Sequence, residues 1–210
     1  MRIVLASNNA KKLAELGGLF APLRLELVTQ GSLGVSEAEE PHITFIENAL
    51  AKARHAAHAT GLPALADDSG LCVDALGGAP GVQSAVYAPF MPDPGQEREA
   101  HRRAQDAANN TLLLQRLAGV ADRRASFVCA LVALRTAGDP EPLIAFGRWE
   151  GEILAEPQGD GGFGYDPLMF IPALGSTVAA LPAATKSAHS HRAIAAAQLL
   201  GLMRSAWHLA

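Results

Sequence analysis

The chain has 210 residues, 49% of them hydrophobic and 18% charged. That is enough apolar material for a sizeable core in one large domain or two small ones, and too much for a disordered chain. The formal net charge of −4 excludes a whole-surface electrostatic grip on nucleic acid, and no apolar run reaches the roughly 18 residues that a membrane span needs.

The start turns polar after a short apolar stretch, so no signal peptide is expected and the expected location is cytoplasmic. Cys72 and Cys129 stand in apolar surroundings without metal-ligand spacing, and read as buried free thiols of a reducing compartment. Four of the seventeen cations are lysine, at positions 11, 12, 52 and 186. Where arginine is the default, a lysine hints at a place that needs a compact point charge.

Residues 2–6 are a short apolar run that predicts a buried strand, broken by Ser7-Asn8-Asn9. From Ala10 the apolar residues Leu13, Leu16, Leu19 and Phe20 recur at helical spacing. A second strand is predicted over 25–29 and a loop carrying Glu37, Glu39 and Glu40 over 31–41. Thr44 with Glu47 three residues on forms a capping box, and Gly61 with Pro63 ends the helix it opens. Residues 64–66 read as a short buried strand running into Asp67-Asp68-Ser69-Gly70, continued at 71–73.

A polar-faced helix is predicted over about 95–117, a strand over 125–134, and its hairpin partner over 143–149. A Gly-rich loop over 159–167 leads into a strand at 168–171, and one amphipathic helix closes the chain from about Ser190. Strands and helices alternate early and a hairpin sits late, which predicts an α/β fold built on a mixed sheet flanked by helices.

Five constellations could carry chemistry. The turn Ser7-Asn8-Asn9-Ala10-Lys11-Lys12 between strand and helix offers amide donors and cations to an anion, or is an ordinary capped turn. Asp67-Asp68 at a strand's carboxyl end would suit magnesium, or forms an Asx-type turn hinged on Gly70. In an extended segment the two carboxylates point to opposite faces, so one of them faces a given site. The acidic loop ending in Glu40 matters only if it folds near Asp68.

In the loop Gly161-Gly162-Phe163-Gly164-Tyr165-Asp166-Pro167, Phe163 could stack on a base and Asp166 accept from it, or the aromatics plug the core. Ser190 can cap the last helix, which puts His191 and Arg192, just after Lys186, in its first turn. Cations there oppose the helix dipole, and an anionic or carbonyl-bearing ligand would compensate.

Together and in this order, the segments LASNNAKKLAEL, EAEEPHITFIENALAKA, ALADDSGLCVDALGGAPGV, GGFGYDPLMFIP and KSAHSHRAIA resemble the inosine triphosphate pyrophosphatase family, the non-canonical purine NTP (dITP/XTP) pyrophosphatases. The resemblance covers essentially the whole chain and implies a single domain over 1–210. It implies a long curved mixed sheet flanked by helices, two lobes around a central cleft, and a homodimer. The implied activity is hydrolysis of ITP, dITP and XTP between the α and β phosphates, with Mg2+, to the monophosphate and pyrophosphate. The implied partner is a small-molecule nucleotide, with neither nucleic acid nor membrane.

By the same resemblance Ser7, Asn8, Asn9, Ala10, Lys11 and Lys12 form the triphosphate-binding turn, and Glu40 and Asp68 are metal-linked carboxylates, Asp68 also being the proton acceptor. Ser69 contacts the substrate, Phe163, Gly164, Tyr165 and Asp166 recognise the base with Phe163 as the stacking ring, and Lys186, His191 and Arg192 lie around the purine's six-position oxygen and the substrate's far side.

Three departures from the family pattern bear on this expectation: Pro41-His42 before the capping box, Val86 in place of an arginine, and residues 181–185 without acids before Lys186. Two other readings are a pyrophosphatase for other modified nucleotides and a catalytically silent nucleotide-binding module.

Overall fold

The computed structural model describes residues 1–91, 95 and 97–209. Seven strands form one mixed sheet: β1 (Arg2–Leu5), β2 (Glu26–Thr29), β3 (Ala64–Val73), β4 (Arg124–Leu134), β5 (Leu143–Ile153), β6 (Met169–Ile171) and β7 (Ser176–Thr177). Their order is β2-β1-β3-β4-β5-β6-β7. β1 runs parallel to β2 and β3, and β5, β6 and β7 are antiparallel neighbours. The helices are α1 (Ala10–Phe20), α2 (Phe45–Thr60), α3 (Arg98–Arg116), α4 (Ala183–His189) and α5 (His191–Ala206). This is the α/β mixed sheet flanked by helices that the alternation of elements predicts. Among the described residues no helix is long and apolar enough to cross a membrane.

The chain divides into two compact units. The first holds Met1–Ser69, Val128–Arg148 and Ser187–Ala210, the second Gly70–Phe127 and Trp149–Lys186.

In the first unit, strand alternation builds two cores. Ile3, Leu5, Leu65, Cys129 and Leu131 pack against Leu16 and Phe20 of α1 and Ala195, Leu199 and Met203 of α5. Val4, Ala64, Ala66, Ala130 and Val132 point the other way, onto Ala49, Ala53, Ala56 and Ala57 of α2. α2 starts where the capping box predicts: Thr44 Oγ1 accepts from Glu47 N at 3.2 Å and donates to the Glu47 carboxylate at 2.6 Å. Its alanine stripe lets it lie close to the sheet. Gly147 on β5 serves the same end for α5, because a Cβ there would meet the His191 carbonyl oxygen at 1.9 Å. In the second unit, Leu71, Val73, Leu113, Leu117, Trp149, Tyr165 and Met169 belong to one buried cluster.

Several boundaries differ from the sequence reading. β3 is continuous, so Asp67-Asp68-Ser69-Gly70 is extended strand and not a turn hinged on Gly70. Gly70 is required instead by packing: a Cβ there would lie 2.4 Å from Ser84 Oγ and 2.5 Å from the Gly81 carbonyl. α3 begins at Arg98, and the part of its predicted span at residue 96 lies outside the described residues. β5 runs past Trp149 to Ile153, and β7 and α4 are additional elements. Cys129 is a buried free thiol as expected, whereas Cys72 is only half-buried.

Candidate functional site

Strand parity places the two aspartates. Asp67 continues the Leu65 side of β3, toward α1 and α5, and Asp68 continues the Ala64 and Ala66 side, toward α2. Each meets a different set of cations.

Asp67, 1% exposed, is saturated with donors. Lys12 Nζ and Ser69 Oγ, the latter at 2.9 Å, donate to Oδ1. Arg192 Nε at 2.6 Å and the Cys129 thiol at 3.4 Å donate to Oδ2. Burial alone would raise this carboxyl, but the Arg192 guanidinium and the Lys12 ammonium hold it well below the usual carboxylate range. Arg192, 2% exposed, also reaches Glu15 through Nη1 and Ser69 Oγ through Nη2 at 3.0 Å. Burial and the adjoining Asp67 carboxylate push the Cys129 thiol well up, so it is no nucleophile.

Asp68, 6% exposed, is tuned the opposite way. Lys52 Nζ donates to its Oδ1 at 2.7 Å and to Glu40 Oε2 at 2.8 Å. Its Oδ2 is buried and has no donor among the described residues, with the Glu40 carboxyl beside the pair as the group it interacts with. Burial pushes the carboxyl up to about 6 against the pull of Lys52, and the nearby Glu40 adds to the rise. Burial also acts to raise Glu40, but Lys52 keeps it below its ordinary value. Lys52 is buried too, yet its two carboxylates raise it and hold it charged.

A divalent cation fits this arrangement. Magnesium takes one or two carboxylates and completes its shell with phosphate oxygens and water. Glu40 and Asp68 would supply the carboxylates, and an Asp68 Oδ2 with no donor among the described residues is the kind of buried oxygen a cation satisfies. No cluster of three or more His, Cys, Asp or Glu suited to a metal occurs among the described residues, and magnesium shared with a phosphate needs none.

The turn before α1 is held by its own side chains. Asn9 Oδ1 caps Lys11 N at 3.0 Å and Lys12 N at 3.4 Å, and Ser7 Oγ accepts from Asn9 N at 3.2 Å. Asn8 Oδ1 accepts from Gly31 N at 2.8 Å, and its amide donates to Glu37 at 3.2 Å. Ala10 opens α1. Ser190 Oγ accepts from Ala193 N at 3.1 Å and caps α5, so His191 and Arg192 stand in its first turn. The compensating anion expected at that helix start is there, but it is the chain's own Asp67 and Glu15.

Phe163, Gly164, Tyr165, Asp166 and Lys186 belong to the second unit. Lys186 Nζ sits 4.7 Å from the Phe163 ring centre and pairs with Asp166 at 2.7 Å. Asp166 Oδ2 also accepts from Phe163 N at 3.0 Å, and a Cβ on Gly162 would run into that same oxygen. The Tyr165 ring lies in the core and its hydroxyl donates to the Ser84 carbonyl at 2.9 Å.

The sequence departures find local answers. Asn48 on α2 accepts from His42 N at 3.0 Å and donates to His42 O at 3.1 Å. It thereby fixes the residue two beyond Glu40. Lys186, with no acid at 181–185, is oriented by Asp166 instead. Val86 is exposed at the end of the 3-10 turn Gly81–Val86.

The sequence assigns no role to Lys52 or Glu15, and it singles out Asp67 only as a partner of Asp68, not as the acceptor for Lys12 and Arg192. Lysine scarcity was the usable signal, because Lys12, Lys52 and Lys186 each pair with a carboxylate of these clusters.

The Ham1 family model matches residues 3–202. A protein of Leptothrix cholodnii named dITP/XTP pyrophosphatase is 71% identical over 212 residues and covers 100% of each chain. One of Methylibium petroleiphilum with the same name is 71% identical over 207 residues, 99% of each chain. The solved structure of a HAM1 protein from Coxiella burnetii is 43% identical with a TM-score of 0.87, covering 98% of this chain and 99% of that one.

Proposed function

This chain belongs to the Ham1 family, and on that premise we propose that it hydrolyses ITP, dITP and XTP between the α and β phosphates to the monophosphate and pyrophosphate, cleansing the nucleotide pool. The observation that carries this reading is the oppositely tuned pair on β3: Asp67, saturated with donors and held well below the usual carboxylate range, beside Asp68, raised to about 6 with one buried oxygen that has no donor among the described residues.

In the proposed reaction Asp68 takes the proton of the attacking water, its raised carboxyl giving it the proton affinity a general base needs. Lys52 keeps the carboxylate turned and ionised there. Lys12, with Ser7, Asn8, Asn9, Ala10 and Lys11, holds the triphosphate, positioned by Asp67, and Ser69 contacts the substrate. Glu40 and Asp68 would hold Mg2+, and the chemistry it would supply there is neutralisation of phosphate charge.

Phe163 stacks on the base in a loop shaped by Gly164, Tyr165 and Asp166. Lys186 with His191 donates to the carbonyl oxygen at purine C6. Arg192, already engaged with Asp67, Glu15 and Ser69, acts through that network. An adenine amino group would leave the donors facing C6 unpaired, which is costly. A homodimer and a cytoplasmic location belong to the same proposal, and sedimentation of the purified protein tests the first.

The test is a panel of ITP, dITP, XTP, ATP, GTP and dUTP, read for pyrophosphate against orthophosphate, with magnesium and with EDTA. The expected result is magnesium-dependent pyrophosphate release. Its kcat/KM on the ITP group should exceed that on ATP by about 100-fold or more, the margin that unpaired polar groups provide. Orthophosphate release, equal turnover of ATP, or full activity in EDTA would each overturn the corresponding part.

Phe163→Ala is expected to raise KM for ITP about tenfold with kcat little changed, since stacking is shared by ground and transition states and amounts to about 1–3 kcal/mol per base. A fall in kcat alone contradicts this.

A further inference from the structure

We propose that Asp106 and Asn110 of α3 are positioning residues for base recognition, gripping the backbone of Gly164 so that the adjoining Phe163 ring is presented in one orientation. The inference rests on the proposed role of the Phe163 loop.

Gln105, Asp106, Asn109 and Asn110 lie on one face of α3, one helical turn apart in pairs. That face turns inward. Asp106 Oδ2 accepts from Gly164 N at 2.8 Å, and Asn110 Nδ2 donates to Gly164 O at 3.0 Å. Asn109, 1% exposed, does the parallel task for the neighbouring segment: it donates to Ser84 O and Ala85 O and accepts from Ala88 N. Ser84 O in turn receives the Tyr165 hydroxyl.

Gly164 has φ +62, a left-handed conformation open to glycine, and without a Cβ the residue is free to leave it unless contacts outside the loop hold it. Its N–H belongs to the peptide plane shared with Phe163, and its carbonyl to the plane shared with Tyr165. Fixing both fixes two successive peptide planes beside a ring that is itself only half-buried. Phe163 N is tied to Asp166 on its other side. The ring therefore has its peptide held at both ends, and α3 supplies the clamp on the Gly164 side.

The test compares D106A, N110A, D106N, F163A and the double variant D106A/F163A for ITP hydrolysis, and for inhibition by IMP, which carries the base, and by pyrophosphate, which does not. D106A and N110A are expected to raise KM for ITP and the inhibition constant of IMP about tenfold, a cost typical of a misplaced recognition group. The kcat and the pyrophosphate inhibition constant should stay within about twofold of wild type. D106N, whose Oδ1 can still accept from Gly164 N, should recover most of the loss, and D106A should add little to F163A.

If F163A weakens ITP and IMP while D106A and N110A do not, the clamp is refuted and the base-loop reading stands. If F163A itself changes nothing, that reading fails and the clamp with it. If D106A lowers kcat and pyrophosphate binding equally, with a reduced Tm that D106N does not restore, the helix face is merely structural and the proposal is overturned.

Discussion

Asp68→Asn is expected to lower kcat for ITP by at least about a thousandfold, in the range lost when a general base is removed together with a charge that assists the metal, and at the same time to make the protein more stable at neutral pH. The two effects have one cause. Burial raises the Asp68 carboxyl from 3.8 to about 6, so the folded state resists its ionisation. Between those values the unfolded chain has lost its proton while the folded one still holds it. Stability therefore falls as pH rises through this window and stays reduced above it.

At about 1.4 kcal/mol per unit, the ionised side chain costs the fold on the order of 3 kcal/mol. Asparagine never ionises and escapes that cost. In EDTA, Tm of D68N should match wild type near pH 4 and exceed it by several degrees at pH 8. The wild-type kcat/KM should fall as acid protonates Asp68, whose carboxyl is raised to about 6 in the metal-free protein, the behaviour of an essential base. A Tm difference that does not vary with pH, or normal turnover by D68N, removes Asp68 from this role.

Much of the frame was legible because it is local. Apolar spacing locates α1, the Thr44 and Glu47 pair locates α2, and period-two alternation already sends Asp67 and Asp68 to opposite faces. What the chain did not disclose is non-local. Asp-Asp-Ser-Gly has the composition of a turn, yet β3 stays extended through it because the carboxylates are neutralised by groups far away in sequence. Lys12 lies 55 residues from Asp67, and Arg192 lies 125 from it.

The same limit governs Arg192. Read by itself, a cation at a helix start wants an external anion, and the anion proved to be internal. For α3 the sequence predicts a polar-faced helix and no more, because helical spacing says which residues share a face but not what the face meets.

Asp67→Ala is expected to be the most destabilising single change in the first unit. It strips four donors of their acceptor and leaves Arg192, 2% exposed, with only the Glu15 carboxylate and the Ser69 hydroxyl. Breaking a buried pair from one side typically costs about 3–5 kcal/mol, which for a chain of this size lowers Tm by roughly 10 °C.

The pH dependence is the reverse of that at Asp68. Asp67 is depressed below 3.8, so its contribution is present above that value and is lost only as pH falls through the lower folded value. Wild type and D67A should therefore differ throughout neutral pH and converge only in strong acid. Activity should fall with stability, since Lys12 and Ser69 lose the carboxylate that both donate to, and with it the positions on which the proposed reaction relies. Combining D67A with Arg192→Met separates a stranded charge from simple loss of volume. If the stranded guanidinium is the cause, the double variant melts higher than D67A, because an apolar chain of similar length needs no partner in that space. A double variant that melts lower still would show that Arg192 stabilises the fold without Asp67, and would overturn the assignment of this carboxylate as the anchor of the network.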